Sequence, residues 1–205
     1  MKKIKICVCL IVFVLIMAGC GKEELENKSF VLALGMDVEN DNMKIIYNFP
    51  DLSRFTEQNK GRSSGNFIAE CSDLQEGLEF YQNTSDKKID FAHLKCIVMS
   101  EDFFKSKFYH KTLTGSLEAG VFADNIPVLI TEDNLTDILN NDNVESGSVG
   151  DFLANMITNY DETRKIKSAT LNTLLKNTYN NNTEHNILKL SYENDLYELS
   201  EYKIS

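Results

Sequence analysis

The chain has 205 residues, of which 42% are hydrophobic and 25% charged, a composition too apolar for disorder and sized for one ordinary domain. Its formal net charge is −10, with 21 Lys and Arg against 31 Asp and Glu. That balance argues against a nucleic-acid partner, which requires clustered basic residues, and against adhesion of the domain's bulk to anionic lipid.

The first residues carry the strongest signal. Lys2, Lys3 and Lys5 precede an uncharged apolar run of twelve, residues 6–17. A membrane-spanning helix needs about 20 such residues, so the run reads as the hydrophobic region of an export signal. Met17-Ala18-Gly19-Cys20 follows directly. Small residues before a cysteine fit a lipoprotein signal peptidase, and the sequence resembles a lipobox with Met where Leu is usual. Residues 1–19 are therefore expected to be a signal peptide, and Cys20 the lipidation site; the competing reading is an uncleaved N-terminal anchor. Removing Lys2, Lys3 and Lys5 with the signal leaves 18 basic against 31 acidic residues, a charge of −13. Each buried acyl CH₂ contributes about 0.8 kcal/mol, and two or three chains anchor stably where one does not. Residues 20–28 form the lipidated cysteine and a short tether, and residues 21–28 span at most about 29 Å.

Beyond the tether, residues 29–36 form an apolar strand closing on Gly35-Met36-Asp37. Asn40-Asp41-Asn42 is a turn, and residues 43–49 return as the second strand of a hairpin. Residues 50–64 are polar and irregular, and residues 66–71 are a third strand. Asp73 caps a helix with Glu76 three positions on, a capping-box variant, and Leu74, Leu78 and Tyr81 supply its apolar face. After Asp86-Lys87-Lys88, residues 93–99 read as a central strand. Ser100 caps the next helix, which buries Phe103, Phe104, Phe108 and Leu113. Residues 126–130 are a short strand, and Thr131 caps a helix over 135–139. Ser148 or Asp151 opens a helix through Phe152, Met156 and Ile157, and Leu171, Leu174 and Leu175 mark another that runs out at 180–182. Residues 187–192 and 196–204 form a second hairpin about Asn194-Asp195. This alternation predicts an α/β (mixed α+β) fold, a mixed sheet with flanking helices and terminal hairpins.

The motifs of common chemistries are absent: no G-x-G-x-x-G, Walker loop, G-x-S-x-G or H-E-x-x-H occurs. His93, His110 and His185 lack ligand spacing, and His93 reads as a structural residue opening its strand. Cys71 and Cys96 are the thiols beyond the anchor; they form a disulfide, which export permits, or remain two buried free thiols. The acid pairs Glu23-Glu24, Glu101-Asp102, Glu132-Asp133 and Asp161-Glu162 are mostly placed at helix N-termini, where the dipole favours them. Asp37 is the acid worth watching, against a simpler role in capping a turn. No catalytic residue, cofactor or metal ligand is expected, and the chain reads as no enzyme.

The order of segments resembles the C subunits of spore germinant receptors, the Ger(x)C or GerAC-like lipoproteins. The resemblance rests on the lipobox cysteine, the acidic tether, the strand closing on Gly35-Met36-Asp37, and the His93-Leu94-Lys95 strand entering a helix after Lys87-Lys88. It continues through Pro127-Val128-Leu129-Ile130, the 152–160 and 171–175 helices, and Ile187-Leu188-Lys189-Leu190. Where the family has Trp-Asp after the lipid cysteine, this chain has Gly21-Lys22. The family continues into a C-terminal domain, so the match is to its N-terminal portion: residues 29–185 as an N-terminal α/β domain and 186–205 as a terminal hairpin where that continuation begins. The resemblance implies a non-enzymatic subunit, lipid-anchored on the outer face of the cytoplasmic (inner spore) membrane. Its partners would be polytopic germinant-receptor subunits. The alternative is a surface lipoprotein that captures or senses a small-molecule ligand, which predicts a pocket lined by aromatic side chains.

Overall fold

The computed structural model describes residues 27–50, 65–118, 120–141, 144, 148–179 and 186–203. The expected signal, Cys20 and most of the tether, the 51–64 connection and the 180–182 tract lie outside them. Nine strands are described: β1 (Lys28–Phe30), β2 (Ala33–Glu39), β3 (Asn42–Asn48), β4 (Asn66–Cys71), β5 (Lys88–Asp90), β6 (Cys96–Ser100), β7 (Val128–Thr131), β8 (Leu188–Glu193) and β9 (Leu196–Glu201). The helices are α1 (Leu74–Thr84), α2 (Glu101–Lys105), α3 (Lys107–Glu118), α4 (Leu135–Leu139), α5 (Val149–Arg164) and α6 (Leu171–Tyr179). Seven strands form one mixed sheet in the order β4-β3-β2-β6-β7-β8-β9, and β1 pairs with β5 in a separate ribbon. The expected mixed α/β architecture is what the chain adopts.

Strands β2, β6, β7 and β8 are parallel, while β3 and β9 run against their neighbours. Their carboxyl ends therefore share one end of the sheet, together with both hairpin turns and the caps Asp73, Ser100 and Asn134. Alternation along the strands splits the core into two layers. Leu34, Met36, Ile45, Ile97, Met99 and Ile130 face one side, where Leu74, Phe103, Leu113, Leu171 and Leu174 cover them. Ala33, Ile46, Val98, Leu129 and Leu190 face the other, beneath Leu135, Ile138, Leu139, Leu153 and Ile157 of α4 and α5.

Local chemistry explains the edges of these elements. Both hairpins turn on an Asn-Asp pair with positive φ, 51° and 63° at Asn40-Asp41 and 52° and 63° at Asn194-Asp195. These are the angles a two-residue turn matched to strand twist demands. Asp73 accepts from Glu76 N–H at 3.0 Å, and the Glu76 carboxylate reaches back to the Ser72 N–H at 2.7 Å, so the expected capping box closes one residue earlier than the standard pattern. Ser148 caps α5, its Oγ accepting from Asp151 N–H at 3.1 Å. The helix can lie this close because residue 150 is glycine: a Cβ there would sit 2.6 Å from the Leu32 carbonyl carbon.

Several expected boundaries move. The strand expected over 29–36 is two. Val31 N–H donates to Asp90 and Leu32 N–H to Asn48, while the Leu32 carbonyl accepts from Lys95, so adjacent residues pair in different sheets. Gly35-Met36-Asp37 then lies inside β2, which continues to Glu39. The central strand starts at Cys96, and His93 sits in the preceding turn, exposed, its ring edge-on to Phe30 at 4.9 Å. The helix after Ser100 breaks at Ser106, whose hydroxyl donates to the Phe103 carbonyl and accepts from Phe108 N–H. The break rotates Tyr109 into the core and leaves Phe104 and Phe108 half-buried. Thr131 does not cap α4. Its hydroxyl accepts from Asp133 N–H, and Asn134 is the cap, accepting from Thr136 and Asp137.

Candidate functional site

The residues singled out in the sequence do not converge. Cys20 lies outside the described residues. Cys71 on β4 and Cys96 on β6 are free, buried thiols. They lie on opposite faces of the sheet, Cys71 under α1 and Cys96 under α4 and α5, with two strands between β4 and β6. Neighbouring strands are about 4.8 Å apart, too far in sum for the Cα separation of a disulfide. Burial pushes the Cys71 thiol up to about 11 and Cys96 up to about 12, so neither is a thiolate nucleophile at neutral pH.

The acids do structural work. Glu101 and Asp102 occupy the first turn of α2, where the dipole favours them. Glu101 also accepts from Tyr202 Oη at 2.8 Å and pairs with Lys105 at 3.0 Å. The Lys105 ammonium, then the Tyr202 hydroxyl, hold the Glu101 carboxyl below its usual range. Asp161-Glu162 departs from the N-terminal placement expected for such pairs. It lies near the C-terminal end of α5, where the Ser168 N–H and hydroxyl donate to the Asp161 carboxylate. Asp37 is not a turn cap but a strand residue opposite Lys44, accepting from Val38 N–H at 2.8 Å. His93 and His110 are exposed and lie on separate elements. Among the described residues no group of three or more His, Cys, Asp and Glu side chains could hold a metal ion.

Three hollows stand out. An open cleft of about 720 Å³ lies between α4 and the β8–β9 turn, lined by Asp133, Asn134, Asp137, Asn140, Tyr192 and Asp195. Its walls are tied together: Tyr192 N–H donates to Asp133 at 2.8 Å and Tyr192 Oη to Asp195 at 2.9 Å. A smaller groove of about 240 Å³ runs between α1 and α3 over Leu74, Leu78, Gly115 and Val121, bounded by the Asp73–Lys111 pair at 3.3 Å. A third, open hollow of about 450 Å³ between α5 and β9 is lined by Met156, Tyr160, Arg164, Tyr197 and Leu199, while other aromatic rings fill the core. Tyr47, Phe67 and Phe91 pack ring against ring beneath α1, with Tyr81 of that helix among them. The Tyr47 hydroxyl is buried there without a hydrogen-bond partner among the described residues, and burial raises its pKa. No residue pattern marks this orphan, which follows from α1 lying flat on β3 at Gly77, where a Cβ would be 3.0 Å from that oxygen.

The described residues form a three-layer α/β domain, with helices on both faces of the sheet, open clefts and two buried thiols. The chain belongs to the spore germination protein N-terminal domain family, whose family model matches residues 21–190. The match begins at the residue after Cys20 and ends inside β8. No curated protein and no solved structure matches the chain. Among the described residues no helix is long and apolar enough to cross a membrane.

Proposed function

We propose that the protein is a lipid-anchored, non-enzymatic subunit of a spore germinant receptor, held through Cys20 on the outer face of the cytoplasmic (inner spore) membrane. There it engages the receptor's integral membrane subunits. The observation that carries this reading is the family match over residues 21–190 starting directly behind the lipobox cysteine. Physical chemistry supports it. A tether of at most about 29 Å confines the domain to a thin layer, which raises its effective concentration toward partners in that membrane. The open, polar α4 cleft suits surface contact better than enclosure of a small ligand.

The test is genetic and biochemical together. A Cys20→Ala variant is expected to leave the spore membrane fraction and to give the slowed nutrient germination of a deletion strain. Normal germination of the deletion strain on every nutrient tried would sink the receptor role, whatever the location of the protein.

A further inference from the structure

The two ends of the seven-stranded sheet differ in charge, and the tether joins one of them. The chain enters the fold at β1, which is held firmly. Lys28 Nζ meets Asp90 at 2.8 Å, the Tyr81 hydroxyl donates to Ser29 Oγ at 2.6 Å, and Val31 N–H donates to the Asp90 carbonyl at 3.0 Å. This ribbon sits where the parallel strands begin. Around it, charges of both signs offset one another: Lys28 with Asp90, and Lys95 with Asp151 at 3.8 Å. The opposite end, where the parallel strands finish, carries Asp41, Asp102, Asp133, Glu193 and Asp195, all exposed, besides Glu39, which Lys44 offsets at 2.8 Å. The seven residues of β2 separate the ends by about 20 Å at ~3.3 Å per residue, more than two Debye lengths of ~8 Å.

We propose that the domain stands on an anionic lipid surface with the β1–β5 ribbon and the His93 turn toward the lipid, and the acidic end of the sheet toward bulk solvent. The inference rests on the anchoring of Cys20. Two independent causes act in the same sense. The short tether draws the β1 end to the bilayer, because no residue after Phe30 can be paid out without breaking the ribbon. The negative surface potential of anionic lipid repels the acidic end, so a half-turn of the domain raises its energy. The α4 cleft is thereby kept open to partners instead of being pressed on lipid.

The test uses the full lipidated chain in vesicles of phosphatidylglycerol and phosphatidylethanolamine, with a lipid carrying a headgroup nitroxide. A fluorophore is placed at Ala92→Cys, beside the ribbon, or at Leu196→Cys, at the acidic end. Both positions are exposed, and the signal from the unsubstituted chain, with its buried Cys71 and Cys96, is subtracted. Quenching is expected to be severalfold stronger at residue 92 than at residue 196. Flotation of the protein with the vesicles but equal or reversed quenching overturns the orientation and leaves the anchor standing. Failure of the lipidated chain to float with the vesicles removes the anchor and the orientation with it.

Discussion

The two hairpins are built on the same local words and meet opposite fates. Glu39-Asn40-Asp41 and Glu193-Asn194-Asp195 turn with nearly identical positive φ values. The first hairpin, β2–β3, lies inside the sheet between β4 and β6 and is buried on both faces. The second, β8–β9, ends the sheet, and β9 carries Leu196 at 72% exposure. Turn chemistry therefore sets where the chain reverses, while side-chain volume on both faces decides which hairpin the domain depends on. A central hairpin is stabilised by everything packed around it; an edge hairpin stays available to solvent and partners.

Substitutions in each hairpin separate the two. Leu34→Ala empties a fully buried position in β2 and is expected to cost about 2–5 kcal/mol, read as a lowered midpoint in urea. A loss below half a kilocalorie would contradict the packing described. Asn40→Ala and Asn194→Ala each force alanine to a positive φ, at about 1–2 kcal/mol. The first should lower global stability. The second should speed amide exchange mainly in β8 and β9, and equal global losses would erase the distinction.

A smaller effect concerns Asp73, the cap of the helix lying on the first hairpin. The Glu76 N–H, then the Lys111 ammonium, hold its carboxyl below the usual range. A depressed folded-state pKa means the stabilisation is full above the ordinary Asp value near ~3.9 and is lost as pH falls through the folded one. Asp73→Asn keeps a good cap, so it should flatten stability against pH in the acid range while costing little near neutrality. An unchanged acid limb would show that the carboxylate is not responsible. Smallest of all, Leu196→Ser on the exposed edge is expected within about 0.5 kcal/mol of the parent.

Much of this architecture was legible because local signals agreed with the tertiary outcome. The Asn-Asp turns, the Asp73 and Ser148 caps and strand β4 follow from residue chemistry alone. The failures share a cause. The three residues of β5 carry no periodicity, and their pairing with β1 is a long-range event that local patterns do not record. The same ribbon broke the strand expected over 29–36. Ser106 breaks a continuous apolar pattern because its hydroxyl competes for backbone groups. Asn134 outcompeted Thr131 as a cap through position, not residue type. For function the order of segments was the legible part, and the family model matches residues 21–190, while the proposed anchor at Cys20 lies outside the described residues.

The proposed anchor has a chemical signature of its own. Mass spectrometry of the N-terminal peptide from the membrane-purified protein should show a chain beginning at Cys20, heavier by a diacylglyceryl group and an added acyl chain or by the diacylglyceryl group alone. An N-terminus at Met1 or elsewhere, with Cys20 unmodified, would contradict the anchor and the receptor role built upon it.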